Sequence, residues 1–191
     1  MGFAIAERLA SLVAKVFLVT GPVNLTCNHQ NINRINVISA KEMYDKCLNL
    51  FSSCNGAIMV AAVADYAPVT VEDQKIKRAG GNFSIELQPN PDIAASLGRI
   101  KRTDQILAGF ALETEDEKTN ALSKLKRKNL DFIVLNSLRD SGSGFQFDTN
   151  KITILDNKGS IFNFDLKPKK EVAVDIVNKL IEMQDLLPTL I

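Results

Sequence analysis

Residues 57–66 read Ala57-Ile58-Met59-Val60-Ala61-Ala62-Val63-Ala64-Asp65-Tyr66. Residues 57–63 form a continuous apolar run. Such a run is typical of a strand that is buried on both faces, as in a parallel sheet. Small residues and a carboxylate follow at the point where this strand would end. The stretch therefore predicts a central strand with a polar group at its carboxyl end.

Helices and strands alternate on both sides of this strand, as hydrophobic periodicity indicates. Helices are predicted over residues 2–13, 39–51, 115–129 and 168–183, with one more beginning at residues 90–92. Strands are predicted over residues 16–19, 34–38, 57–63, 106–111 and 132–135, with a hairpin arm at 83–87 and a terminal hairpin over 151–155 and 160–164. The alternation predicts one three-layer, Rossmann-like α/β domain over residues 1–191, with a largely parallel central sheet and a C-terminal β-hairpin plus helix.

Two helix starts carry specific capping signals. Ser39 and Glu42 have the spacing of a capping box, in which the serine side chain satisfies a free backbone N–H group. In the segment 90–92, the sequence predicts Asn90 as N-cap, Pro91 at the first helical position and Asp92 in the first turn.

Composition excludes several classes of protein. The net charge of +1 gives no strong field toward nucleic acid or an anionic membrane. No apolar run approaches the roughly 20 residues that a membrane helix needs, and the start has no signal-peptide pattern. Three cysteines without C-x-x-C spacing argue against a disulfide framework and a zinc site. We therefore expect a cytoplasmic protein.

Ligands of open α/β sheets bind beyond the carboxyl ends of the strands. Ala61, Ala62 and Ala64 would let a ligand approach the backbone there, and Asp65 could accept hydrogen bonds from hydroxyl or amino groups. The alternative is that Asp65 only caps a turn.

Lysines form a second candidate group. Lys75 lies in the basic loop 74–78, and Lys124 and Lys128 share one helix face because they are four residues apart. If the three ammonium groups converge, they suit a triphosphate or a phosphorylated substrate. The alternative is a solvated surface, which is the usual location of lysine.

Other signatures are missing from the sequence. There is no G-x-G-x-x-G between a strand and a helix and no G-x-x-x-x-G-K-[ST], so a Rossmann dehydrogenase and a P-loop enzyme are disfavoured. His29, the only histidine, lies in a polar loop and is expected at the surface. The three cysteines are expected to be small core or surface residues rather than nucleophiles.

The ordered segments together resemble the phosphopantothenoylcysteine synthetase family, especially the bacterial form fused behind a flavin-dependent decarboxylase. The resemblance runs from Met1 to about Met183. It rests on residues 1–4, 21–23, 61–66, 75–78, 90–93, 109–114, 124–131 and 144–150.

The resemblance implies a ligase of coenzyme A biosynthesis. Its members activate the carboxylate of 4′-phosphopantothenate with a nucleotide, typically CTP in the fused bacterial form and ATP in eukaryotic relatives. An acyl-cytidylate forms with loss of pyrophosphate, the amine of cysteine attacks it, and CMP leaves. Magnesium assists the triphosphate. The family is usually dimeric.

The resemblance also implies roles for residues of this sequence. Lys75 would lie on a mobile flap and stabilise charge during acyl transfer, as the catalytic residue. Asp65 would lie near the sugar or base of the nucleotide. The complete implied nucleotide-binding set is Ala61, Ala62, Val63, Asp65, Asn90, Pro91, Asp92, Ile93, Phe110, Lys124 and Lys128.

The start of the sequence departs from the family pattern, which has a Gly-rich strand and loop before the position of Gly2. We expect this strand and loop to be missing from the domain. Two further interpretations stay open: an inactive or regulatory remnant of the family, and a Rossmann-like oxidoreductase.

Overall fold

The computed structural model describes residues 1–72, 74–78, 80, 82–113, 116–137 and 147–185. Its helices are α1 (Gly2–Ser11), α2 (Ala40–Phe51), α3 (Ile93–Ile100), α4 (Glu117–Arg127) and α5 (Lys169–Asp185). Its strands are β1 (Val16–Thr20), β2 (Ile32–Asn36), β3 (Gly56–Met59), β4 (Tyr66–Pro68), β5 (Leu87–Pro89), β6 (Ile106–Glu113), β7 (Phe132–Ser137), β8 (Thr149–Asp156) and β9 (Ile161–Pro168).

The central sheet has five strands in the order β3-β6-β7-β8-β9. The first three are mutually parallel, and β8 and β9 add an antiparallel hairpin at one edge. Strand β9 then leads directly into α5. The α/β class, the central parallel strands and the C-terminal hairpin plus helix are therefore confirmed.

Strands β1 and β2 form a separate parallel pair. The sequence predicted that they would belong to one central sheet, but no described strand hydrogen-bonds to the free edge of β1 or to that of β3. Val19 of β1 nevertheless packs against the same hydrophobic cluster as Ala57 and Met59 of β3. The two sheets thus share a core without sharing a hydrogen-bond ladder.

Alternating side chains of the central sheet belong to two hydrophobic clusters, one on each face of the sheet. On one face, Leu107 and Ile133 pack with residues of α2, α3 and α4. On the other, Ile106, Phe132 and Ile154 pack with residues of α1 and α5. Burial on both faces explains why the sequences of β6 and β7 are almost continuously apolar.

Two strand boundaries differ from the sequence prediction. Strand β3 ends at Met59 rather than Val63, because residues 60–65 turn away as a loop at the carboxyl end of the sheet. The arm predicted over 83–87 pairs only at its base, where Leu87–Pro89 lies antiparallel to Tyr66–Pro68. Other predicted ends agree within a few residues.

A buried ion pair fixes α5 against the terminal hairpin. The ammonium of Lys179 lies 3.0 Å from Asp156 Oδ2 and 3.1 Å from Glu182 Oε1. Lys179 and Asp156 are only 6% and 3% exposed. None of the described helices is long and apolar enough to cross a membrane.

Candidate functional site

The loop after β3 is held in place by one asparagine. Asn90 donates its backbone N–H to the carbonyl of Asp65 (2.8 Å) and its side-chain amide to the carbonyl of Ala64 (2.9 Å). These bonds continue the β4–β5 ribbon and clamp the end of the loop at the carboxyl edge of the sheet. The side chain of Asp65 is exposed there, next to a fixed backbone.

Helix α3 begins one turn from this clamp. Its N-cap is Asp92, whose Oδ1 accepts the backbone N–H of Ala95 at 3.0 Å. The prediction that Asn90 is the N-cap and Pro91 the first helical residue was wrong. The physical reason is that the Asn90 side chain is already bonded to Ala64, which leaves Asp92 to satisfy the free N–H groups of the helix.

Asp92 also holds one of the predicted lysines. The ammonium of Lys128 lies 3.0 Å from Asp92 Oδ2 and 3.2 Å from Oδ1. Partial burial alone would raise the pKa of Asp92, but the bond from Ala95 N–H and the Lys128 ammonium hold that pKa below its ordinary value. Asp92 is therefore an anion at neutral pH and positions a cation at the start of α3.

A close contact between two helices fixes the backbone at Lys128. The Asn129 side chain donates to the carbonyl of Gly98 on α3 at 2.8 Å. A Cβ atom at Gly98 would overlap the carbonyl oxygen of Lys128, so only glycine allows this approach. Asn129 itself has a positive φ of 52°, which ends α4. Neither Gly98 nor Asn129 was among the predicted site residues, although a glycine inside a predicted helix indicates a close approach of another backbone.

Lys75 lies on the arm between β4 and β5, within the described residues 74–78. The side chain is exposed. The arm carries many apolar side chains that face solvent: Tyr66, Val69, Val71, Ile76, Phe83, Ile85 and Leu87.

The remaining predicted residues divide between packing and surface. Ile93 is buried in the cluster on the α2–α4 face, and Val63 packs against it. Phe110 packs on the opposite face, with the α1 and α5 cluster. Ala61 and Ala62 are exposed on the loop after β3.

Lys124, like Lys128, is only partly exposed. The structure thus brings together the Ala64–Asp65 backbone, Asn90, Asp92 and Lys128. It shows no contact of Lys75 or Phe110 with that group, and the binding roles of all these residues stay predictions.

Thiol and metal chemistry have little support among the described residues. Burial raises the pKa of the Cys47 thiol to about 11, so it is not a thiolate at neutral pH. No group of three or more His, Cys, Asp or Glu side chains in the described part of the chain could hold a metal ion.

Comparison with known proteins gives consistent matches. The model of the family "DNA/pantothenate metabolism flavoprotein C-terminal domain" matches residues 1–183. The chain is 54% identical over 183 residues to a cysteine/cysteine sulfinic acid decarboxylase from an unknown prokaryotic organism, covering 96% of this chain and 51% of that protein. It is 44% identical over 182 residues to the coenzyme A biosynthesis bifunctional protein CoaBC of Haemophilus influenzae, covering 95% of this chain and 45% of that protein.

A solved structure supports the same relationship. The C-terminal domain of a coenzyme A biosynthesis bifunctional protein CoaBC superposes with a TM-score of 0.80 at 33% identity, covering 96% of this chain and 81% of that one. The chain spans about half the length of the curated relatives it matches.

Proposed function

Because the chain belongs to the DNA/pantothenate metabolism flavoprotein C-terminal domain family, we propose that it is a phosphopantothenate–cysteine ligase of coenzyme A biosynthesis. The reaction joins 4′-phosphopantothenate to cysteine at the cost of a nucleoside triphosphate, with CTP as the proposed nucleotide and ATP as the alternative. One structural observation carries the proposal. The Asn90 clamp and the Asp92–Lys128 pair lie two residues apart along the chain, next to the loop where the carboxyl end of β3 would place a nucleotide.

The nucleoside would bind against the loop after β3. Ala61 and Ala62 have no side-chain bulk beyond Cβ, so a ribose or base can approach their backbone. The carboxylate of Asp65 can accept hydrogen bonds from ribose hydroxyls or a base amino group. Asn90 fixes the backbone beneath Asp65 and so keeps this carboxylate in place.

The phosphates would bind toward Lys128 and Lys124. In the structure the Lys128 ammonium is paired with Asp92, a partly exposed carboxylate. A triphosphate carries more charge than one carboxylate and can share or take over the ammonium. Asp92 thereby preorganises the Lys128 side chain, so that less conformational entropy is lost when the nucleotide binds.

The chemistry then has two balanced steps. A carboxylate oxygen of 4′-phosphopantothenate attacks the α-phosphorus of the nucleotide, and the bond to pyrophosphate breaks. The amine of cysteine next attacks the acyl carbon, loses a proton, and expels the nucleoside monophosphate. Both steps develop negative charge on oxygen, and preorganised cations stabilise that charge. Lys75, on the exposed arm, is the proposed cation of the acyl-transfer step.

Magnesium is proposed as an ion bound with the nucleotide. The described residues contain no three-ligand cluster, so phosphate oxygens and water would supply most of its ligands, as is common for Mg²⁺. When bound, the ion neutralises triphosphate charge. We also propose a homodimer, a flavin-dependent decarboxylase domain fused or associated with this domain, and a cytoplasmic location.

The ligase proposal is tested by mixing the protein with 4′-phosphopantothenate, cysteine, Mg²⁺ and CTP and following pyrophosphate. We expect pyrophosphate release that requires phosphopantothenate, with a ligated product that requires cysteine. A parallel reaction with ATP decides the nucleotide. Absence of a cysteine-dependent product with both nucleotides would contradict the proposal and favour an inactive remnant.

A second candidate comes from the name of the relative at 54% identity, which describes decarboxylation of cysteine or cysteine sulfinic acid. The same cysteine is the acceptor in the proposed ligation. A reaction with cysteine alone, without nucleotide, separates the two. Carbon dioxide release there would favour the decarboxylase, and none is expected from a ligase.

A further inference from the structure

Two asparagines lie at the carboxyl end of β7 and beside it on β8. Along β7, Phe132 and Val134 face α1 and α5, and Asn136 is the next residue in that alternation. Along β8, Asn150 precedes Ile152 and Ile154, which face the same helices. Asn136 pairs in register with Ile152. The two asparagines therefore belong to one face of two adjacent strands, at the sheet edge where ligands bind.

Each asparagine has an unsatisfied side-chain oxygen. Asn150 is only 2% exposed. Its Oδ1 and that of Asn136 are both buried and have no hydrogen-bond partner among the described residues. Buried amide oxygens are almost always satisfied in proteins, because leaving one unpaired costs free energy. Two such oxygens on one face call for donors from elsewhere.

The described side chains next to the two asparagines on the sheet leave both oxygens unsatisfied. On β9, Asn150 pairs in register with Lys167, whose ammonium is bound to Asp175. Asn136 is flanked in register by Leu112 on β6 and by Ile152 on β8. Ile152 and Ile154 continue the same face of β8 as aliphatic side chains. No donor of the described residues meets either oxygen. A molecule that enters at the carboxyl edge can supply such donors.

We infer that Asn136 and Asn150 form a hydrogen-bond-accepting subsite for the uncharged hydroxyl and amide N–H groups of the acyl substrate. This rests on the proposed ligase function. Carboxylates and phosphate dianions, the main forms of these groups at neutral pH, carry no donors for these oxygens. Amide oxygens are neutral, and neutral donors match them without the opposite charge that an ammonium group requires when it is buried.

The position also separates this subsite from the proposed nucleotide site. Lys128 and Asp92 lie with α3 and α4, on the other face of the sheet. Asn136 and Asn150 are on the α1 and α5 face, on strands that are not adjacent to β3. A substrate that reaches over the sheet edge from one face to the other would place its reactive carboxylate between them.

The test compares binding of 4′-phosphopantothenate and of CTP, each alone, by calorimetry. Asn136→Leu and Asn150→Leu keep side-chain size and remove the acceptor, and Asn163→Leu changes an exposed asparagine of β9 as the control. We expect phosphopantothenate affinity to fall about tenfold or more in both site variants. CTP affinity should stay within about twofold, as should both affinities of the control.

The possible outcomes distinguish the asparagine subsite from the ligase function on which it rests. Wild-type protein that binds no phosphopantothenate would overturn the ligase proposal and this subsite with it. Wild-type binding with unchanged affinity in both variants would overturn the subsite alone, as would a loss confined to CTP. Asn150→Ser, which keeps a hydroxyl acceptor, provides a second variant if Asn150→Leu does not fold. The Asn150→Ser variant should lose less phosphopantothenate affinity than the Asn136→Leu variant does. An equal loss of affinity in the two variants would contradict the acceptor role.

Discussion

At the scale of single residues, the account depends on which lysines meet the nucleotide. Lys124 and Lys128 share a partly buried helix face, and Lys126 between them is exposed. Lys128→Ala should weaken CTP binding about tenfold to a hundredfold, the range for losing a charge-assisted hydrogen bond. Lys126→Ala is the matched control and should leave the dissociation constant nearly unchanged. Calorimetric titration measures both, and equal losses would show that only net charge matters.

Lys75 is expected to act in turnover rather than in binding. Because its side chain is exposed, we expect Lys75 to meet the reacting groups only when its segment approaches them. Lys75→Ala should lower kcat about a hundredfold and leave the CTP dissociation constant close to wild type. Lys77→Ala, two residues along the same exposed segment, is the control. A kcat in Lys75→Ala equal to that of Lys77→Ala would make Lys75 an ordinary surface lysine.

The family resemblance implied that Asp92 and Lys128 belong to one nucleotide site, and the structure joins them by an ion pair. Residue types alone grouped Lys128 only with Lys75 and Lys124. The sequence could not predict that Asn90 turns back to Ala64, because that bond spans 26 residues of chain. The same long-range bond moved the N-cap to Asp92. Local capping rules identify the residues that could cap the helix, but they do not determine which of them does so.

At the scale of elements, the contact between α3 and α4 is the feature most sensitive to a single atom. A methyl group at Gly98 would strike the Lys128 carbonyl. Gly98→Ala should therefore destabilise the fold by about 1–3 kcal/mol, as overpacking does. It should also weaken CTP binding, because Lys128 moves with the backbone. Urea unfolding and calorimetry measure the two effects.

Gly21→Ala is the control for this substitution. Nothing lies within 4 Å of a Cβ atom there, so stability and binding should hardly change. Loss of stability in Gly98→Ala without loss of CTP affinity would separate the helix contact from the site.

Element prediction succeeded where the signal is local. The Ser39 hydroxyl accepts the N–H of Glu42 at 3.1 Å, as the capping box indicates. The end of β3 was misplaced because Val60 to Val63 remain apolar after the strand has ended. Hydrophobicity marks burial, and Val63 is indeed packed in the core, but from a loop. Composition alone does not distinguish a buried loop from a buried strand.

At the scale of the whole molecule, the buried Lys179–Asp156 pair joins the last helix to the sheet. Burial alone would raise the pKa of Asp156, but Lys179 and two backbone N–H groups lower it below its ordinary value. The stabilisation is therefore present above the unfolded pKa of about 3.9 and is lost as pH falls through the lower folded pKa. The molecule should lose this contribution only in strong acid.

Lys179→Met tests this linkage. Removing one partner leaves the Asp156 charge buried, which typically costs about 3–5 kcal/mol. We expect that loss in urea unfolding at pH 7. The difference from wild type should shrink toward acid, because burial without the ammonium raises the pKa of Asp156 and the variant takes up the proton at a higher pH than wild type does. Lys158→Met, on the exposed turn of the same hairpin, is the control. A difference that does not depend on pH would assign the loss to packing of the lysine stem.

The fold class could be predicted from the sequence, but the pairing of the strands could not. Alternating elements predicted the α/β fold and the C-terminal hairpin plus helix, as observed. The separation of β1 and β2 from the five-stranded sheet could not be read from the sequence, because strand pairing depends on contacts between distant segments.

We expect the carboxylate of 4′-phosphopantothenate to be activated by transfer of a nucleotide, and oxygen-isotope transfer tests this step. 4′-Phosphopantothenate labelled with ¹⁸O in its carboxylate is converted with cysteine, Mg²⁺ and CTP, and the products are weighed by mass spectrometry. An acyl-cytidylate leaves one carboxylate oxygen on phosphorus, so the account predicts ¹⁸O in CMP together with ligated cysteine. Ligated product with unlabelled CMP, or no ligated product from either CTP or ATP, would contradict it.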